Sequence, residues 1–140
     1  MRGNSTTVTA DLQVELLVAG LDHEIPLRSS WSYDAGDPYA VHVDFRLPLG
    51  STERWSFARE LLAQGMDLPA GSGDVEIAPE VGHRHVLLLL HGGSGSAVVR
   101  VGQHPLREFL DTAFAHVPAG SERSDDELEQ WLRSVLDAAA

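Results

Sequence analysis

Residues 8 to 18 alternate between apolar and polar positions, with Leu12, Val14, Leu16 and Val18 on one side and Asp11, Gln13 and Glu15 on the other. A period of two over that length predicts a β-strand with one buried face. After a polar connection from Gly20 to Glu24, the same logic predicts a strand over Ile25 to Tyr33. Ile25, Leu27, Trp31 and Tyr33 face inward there, and Arg28, Ser30 and Ser32 face outward. Pro26 lies near its start, where a missing amide donor does least harm. The turn Asp34-Ala-Gly-Asp-Pro38 leads into the clearest alternation of the chain: Tyr39, Val41, Val43, Phe45 and Leu47 inward against Ala40, His42, Asp44 and Arg46. A second turn, Pro48 to Thr52, precedes a short strand around Arg54-Trp55-Ser56-Phe57. A helical turn from Ala58 to Gln64 follows, and Gly65 reads as its left-handed cap. Pro69 and the Gly71-Ser-Gly73 loop, whose glycines supply positive φ, lead to a strand from Asp74 to Ala78.

The second half changes character. Val86 to Leu90 is apolar without alternation, which predicts a strand covered on both faces by a second sheet, a helix or another subunit. Gly92 to Gly95 form a tight turn, and Ala97 to Val101 return as the partner strand. Pro105 suits the first position of a helix in which Leu106, Phe109, Leu110, Ala113, Phe114 and Val117 recur at helical spacing, until Pro118 and Gly120. Ser124-Asp-Asp-Glu127 reads as a capping box opening a last helix over residues 124–139. Leu128, Trp131, Leu132, Val135, Leu136 and Ala139 form its apolar stripe. Burying each large side chain of that stripe is worth about 1.5–3 kcal/mol, so the helix is expected to dock on this chain or on a neighbour. Strands followed by helices give an α+β fold. The expectation is about seven antiparallel strands in two curved, barrel-like sheets, one short helix and two C-terminal helices. One domain spans residues 1–140, with 1–7 as a flexible N-terminus.

Composition narrows the function. The 140 residues suffice for one core without staples, and the absence of cysteine excludes disulfides and thiolate chemistry. The N-terminus has no apolar signal core, and no apolar run approaches the roughly 20 residues that span a bilayer. A soluble, cytoplasmic protein without direct membrane insertion is expected. The formal charge is −11, and all ten basic residues are scattered arginines. Such a field disfavours nucleic acid and anionic membranes, because phosphate binding rests on clustered cations.

Motifs for catalysis fail on inspection. His91-Gly-Gly-Ser94 resembles an esterase oxyanion loop, but the elbow G-x-S-x-G is broken because Gly92-Gly-Ser94-Gly-Ser96 ends in serine. His83-Arg-His85 with His91 has no carboxylate at ligand spacing, and reads as strand-edge histidines. Gly71-Ser-Gly73 has no lysine frame for a nucleotide. Trp31, Trp55 and Trp131 lie on apolar faces and read as packing rather than base-stacking platforms. No catalytic residue, cofactor or metal is expected.

Three ordered blocks carry a resemblance: DPYAVHVxF at residues 37–45, WxFARELLxxGM at 55–66 and PxGxGDVxIxP at 69–79. Together they resemble the signature of the SsgA-like sporulation and cell-division proteins of actinomycetes. The resemblance implies a bell-shaped homotrimer of whirly-like fold and a non-enzymatic adaptor acting at division septum sites. It also implies recruitment of the tubulin-like GTPase FtsZ, with an SsgA-type paralogue helping to place the protein. Trimerisation would multiply individually weak contacts with a filament. Two alternatives stay open: a single-stranded nucleic-acid-binding module, suggested by the whirly-like fold, and a regulator of peptidoglycan-remodelling enzymes. The expected interaction surface is the wetter face of the central strand, His42, Asp44 and Arg46, with Arg54 and Arg59 beside it.

Overall fold

A computed structural model describes residues 7–18, 23–93, 95–122 and 125–139, with residues 125–130 and 139 described by their backbone alone. Its seven strands are β1 (Thr7–Leu17), β2 (Ile25–Asp34), β3 (Ala40–Arg46), β4 (Thr52–Ala58), β5 (Val75–Pro79), β6 (His85–Gly92) and β7 (Gly95–Gly102). The helices are α1 (Arg59–Gly65), α2 (Gln103–His116) and α3 (Asp125–Ala139). All strand pairs are antiparallel, in the order β4-β3-β2-β1-β7-β6-β5. The two sheets expected from the sequence are therefore one, curled into a half-barrel. Two meanders, β1 to β4 and β5 to β7, fuse where Glu15, Leu16 and Leu17 pair with Arg100, Val99 and Val98.

The alternation in β2 and β3 becomes the core directly. Leu27, Trp31, Tyr33, Val41, Val43 and Phe45 are buried on the concave face, and the helix α2 lays Leu106, Phe109, Leu110 and Ala113 against it. Trp31 sits at the centre, edge-on to Phe57 and Phe109 with ring centroids 6.1 Å away in both cases. Its indole N–H donates to Ser29 Oγ at 2.9 Å, and that hydroxyl donates in turn to the Leu12 carbonyl at 2.7 Å. The buried serine is thus what lets a fully buried tryptophan keep its polar atom paired.

Several expectations shift. Tyr39 is 55% exposed and precedes β3 in a turn, so it leaves the inward face, whereas Leu47, just past the strand, still packs against the core with Val41, Val43 and Phe45. In β6, Val86, Leu88 and Leu90 are buried but Leu87 and Leu89 are only half-buried, so a single chain covers one face of this strand. Pro105 is the third residue of α2, still within the first turn, where an amide has no partner inside the helix. Residues 1–6 of the expected flexible N-terminus, residues 20–22 of the expected connection, Ser94 of the β6–β7 turn and the capping serine Ser124 lie outside the described residues, while Thr7 already pairs with Asp34 at the start of β1. The described side chains of the α3 stripe do not dock on this chain: Trp131, Leu132, Val135 and Leu136 are all exposed, Trp131 by 51%.

Gly65 is the sharpest correction. It closes α1 but has no positive φ, and the following residue, Met66, stays in the right-handed region at φ −65°. The glycine is needed for space. A Cβ there would overlap Cβ and Cγ2 of Ile77 on β5 and come within 2.9 Å of the Ile77 carbonyl. The close approach seats Leu62 and Met66 in the core. It also covers the free edge of β5, where Ala70 and Ile77 exchange backbone hydrogen bonds of 2.8 and 2.9 Å. By contrast Gly71 does carry the expected positive φ, at 94°, whereas Gly73 in the same loop does not. Gly65→Ala is expected to destabilise the fold by about 1–3 kcal/mol through overpacking, read as a lower urea midpoint. A change below about 0.5 kcal/mol, the range of neutral surface substitutions, would show that α1 and β5 separate without penalty.

Candidate functional site: the outer sheet face and a buried arginine

The register of β1 to β4 arranges the outer face into cross-strand rows. One row reads Gln13, Arg28, Arg46, Thr52; the next reads Asp11, Ser30, Asp44, Arg54; a third reads Thr9, Ser32, His42, Ser56. Three of the five residues expected to form an interaction surface, His42, Asp44 and Arg46, lie on β3 within these rows, and Arg54 joins them from β4. Arg54 and Asp44 form a two-pronged pair, Nε to Oδ1 at 2.7 Å and Nη2 to Oδ2 at 2.9 Å. The Arg54 guanidinium accordingly holds the Asp44 carboxyl below its usual range. His42 Nδ1 lies 2.6 Å from Ser56 Oγ, and its Nε2 lies 3.3 Å from Asp37 Oδ2.

Arg59 does not belong to this surface. It is 1% exposed, because the spacing Arg59, Leu62, Gly65 places it on the buried face of α1. Its Nη1 donates to the carbonyls of Val117 at 2.6 Å and Ala113 at 3.2 Å, at the C-terminal end of α2. Its Nη2 donates to Glu122 Oε2 at 2.9 Å. The guanidinium carbon stands 4.0 Å from the centre of the Phe114 ring and 4.9 Å from that of Tyr33. The charge is therefore held by a helix C-terminus, a carboxylate and two π-faces, the surroundings a buried cation requires. Arg59 ties the β4–α1 junction to the segment from which α3 departs. The signal was legible in sequence: a cation one helical turn ahead of a buried leucine shares its face.

Two further clusters depend on register and were not visible in the sequence. Arg100, on the outer side of β7, reaches Glu80 at 2.9 Å, Glu24 at 3.1 Å and Glu15 at 3.6 Å, bridging β1, the β1–β2 connection and the β5–β6 turn across the seam of the two meanders. On β5 to β7, His91 Nε2 lies 2.7 Å from Glu76 Oε2 and Nδ1 lies 2.8 Å from Ser96 Oγ. This is a serine–histidine–carboxylate relay formed by cross-strand neighbours, and it joins three strands through one imidazole. His83 has a positive φ of 57° in the β5–β6 turn, and His85 faces Glu80 at 3.4 Å. Among the described residues, no three metal-ligating side chains converge, and no helix is long and apolar enough to cross a membrane. An apolar cleft of about 340 Å³ opens at the end of the half-barrel, lined by Leu27, Phe45, Trp55, Leu90, Ala97 and Val99 among others.

A curled seven-stranded antiparallel sheet closed by helices, with its polar side chains ordered on the convex face, defines a surface-presenting α+β domain. Residues 27–122 match the family described as Streptomyces sporulation and cell division protein, SsgA, and the chain belongs to that family. Among its relatives, the sporulation-specific cell division protein SsgB of Streptomyces coelicolor is 36% identical over 134 residues, 94% of this chain and 97% of that protein. SsgB of Salinispora tropica is 41% identical over 135 residues, covering 94% of each. The fold agrees with solved structures. One, an SsgA-like sporulation-specific cell division protein from Thermobifida fusca, has a TM-score of 0.80 and 31% identity over 98% of this chain and 99% of that one. Another was reported with the finding that mutations in SsgB correlate to longitudinal cell division during sporulation of Streptomyces coelicolor. It has a TM-score of 0.80 and 35% identity over 87% of this chain and 97% of that one.

Removing Arg59 strands two helix-terminal carbonyls and a carboxylate. Arg59→Met is expected to lower stability by about 2–4 kcal/mol, and Arg59→Lys is not expected to restore it, because one ammonium cannot reach both directions. The pairing also sets a pH dependence. Its own backbone amide, and then Arg59, hold the Glu122 carboxyl below its ordinary value of 4.5. The stabilisation is thus complete above that value and disappears as pH falls through the lowered folded value. Glu122→Gln should therefore be less stable than the parent chain at neutral pH, with the gap closing below about pH 4 in urea titrations. An equal gap at both pH values would show that Glu122 contributes no charge interaction.

Proposed function

We propose that this protein acts in sporulation-specific cell division as a non-enzymatic adaptor in the cytoplasm. It marks septum sites and recruits the tubulin-like GTPase FtsZ, with an SsgA-type paralogue as a further partner. The observation that carries the reading is identity of 34–41% to several sporulation-specific cell division proteins along most of the chain. The molecule's physical features support it. The convex face presents ordered polar rows rather than an enclosed pocket, a geometry suited to a macromolecular surface. The exposed stripe of α3 and the half-buried Leu87 and Leu89 are apolar surfaces that a second and third copy of the chain would cover. A homotrimer presents its binding face in triplicate, which raises avidity for a polymer without new contacts.

Two measurements test this reading. Light scattering is expected to give three times the chain mass, and Trp131→Glu with Leu136→Glu is expected to return it to one; a monomeric parent chain rules the trimer out. In co-sedimentation, the protein is expected to pellet with FtsZ polymer. Reversing charge with Asp44→Arg and Arg46→Glu is expected to weaken that binding at least about tenfold, with assembly unchanged. Failure of the parent chain to pellet at any ionic strength would eliminate FtsZ as its partner.

A further inference from the structure

Arg28 and Arg46 stand directly opposite each other in the β2–β3 register, and both are exposed on the convex face. Side chains so paired start about 5 Å apart at Cβ, and like charges in that position are destabilising. Two arginines at other outer-face positions are neutralised: Arg54 by Asp44 and Arg100 by three carboxylates. Among the described residues, Arg28 and Arg46 have no ion pair. The chain contains 21 acidic residues against ten basic ones, so carboxylates to neutralise this pair were plentiful. None occupies the row, which continues with Gln13 on one side and Thr52 on the other.

The arginines also line a depression of about 270 Å³ with Gln13, Ser30 and Asp11. Asp11 stands at its rim with its Oδ1 accepting from Ser30 Oγ at 3.0 Å. The depression is thus lined by two arginines without ion pairs and by the Gln13 amide, while the Ser30 hydroxyl is turned to Asp11. Guanidinium forks match carboxylate oxygens in pairs, so one or two carboxylates fit the site better than a point charge would. We propose that Arg28 and Arg46 form a binding site for the carboxylates of an acidic segment of a partner protein, received in the depression that Gln13 and Ser30 complete. A protein carboxylate is favoured over a nucleic-acid backbone by what surrounds the pair. Asp11 and Asp44 lie in the adjacent row, and the chain as a whole carries −11. A long nucleic-acid strand running past the pair would meet both carboxylates, whereas a short acidic peptide segment can end between the arginines. The inference deepens the adaptor reading by naming the chemistry of its partner, and rests on that reading only for biological context.

The test uses the full chain and fluorescein-labelled hexaglutamate as probe, with single-stranded dT20 in parallel, at low and moderate salt. Hexaglutamate is expected to bind, with an affinity that falls as salt rises. Arg28→Ala and Arg46→Ala are each expected to weaken it about tenfold, while Arg107→Ala, an equal loss of charge on α2, should change it less than twofold. Arg46→Glu supplies a readout that a purely structural role would not give: probe binding is lost while the melting temperature rises, because the repelling pair becomes an ion pair. The proposal is overturned by an equal effect of Arg107→Ala, by no hexaglutamate binding, or by dT20 binding more tightly through the same two arginines. FtsZ co-sedimentation separates the two ideas. A parent chain that pellets with FtsZ but ignores hexaglutamate loses the carboxylate site alone, and one that binds hexaglutamate but not FtsZ loses that partner alone.

Discussion

The fold depends on a narrow seam. Among the described residues, three register pairs between β1 and β7 join the four-stranded and three-stranded meanders into one sheet. Backbone pairing of that length is weak in isolation, and two additional interactions hold it closed. On the concave side, Val14, Val99 and Val101 are buried, with α2 packed across both meanders. On the convex side, Arg100 draws together carboxylates from β1, the β1–β2 connection and the β5–β6 turn. The hydrophobic layer supplies the driving force, because apolar burial scales with area. Fully solvated surface ion pairs contribute little, but a half-buried cation meeting three carboxylates fixes which edges meet.

Arg59 performs the corresponding task at the other end of the core. A buried guanidinium is tolerated when its charge is met, and here Nη1 and Nη2 are taken by the carbonyls that α2 leaves open and by Glu122, while Nε has no hydrogen-bond partner among the described residues. The consequence reaches beyond stability. Glu122 lies in the segment linking α2 to α3, so the ion pair sets where the last helix leaves the domain. Beyond it, the described apolar residues of α3, Trp131, Leu132, Val135 and Leu136, are exposed.

The interaction surface was only partly legible. His42, Asp44 and Arg46 follow from alternation in β3, since every second residue must face outward. Arg54 falls beside them because β4 is the next strand. Arg59 is close to Arg54 in sequence but not on its face, because its helical phase points inward with Leu62. Arg28 and Gln13 were not on the expected surface, although their outward orientation was clear. What makes them neighbours of Arg46 is pairing between strands, and alternation within one strand carries no information about register with another. The His91, Glu76 and Ser96 relay was hidden for the same reason.

By itself, the sequence determined the strands and helices, the inward residues of β2 and β3, the absence of thiol chemistry and, through three ordered blocks, the family. These depend on local periodicity and on residue identity, which a linear reading retains. Only the tertiary structure decided that the two meanders share one sheet, that Gly65 serves close packing and not a left-handed cap, and that the Arg59 guanidinium meets the end of α2 and Glu122. It also decided that α3 stays exposed and that two arginines face each other unneutralised. Each of these is a relation between residues far apart in the chain, fixed by packing and by register, and neither is written in the pattern of any single segment.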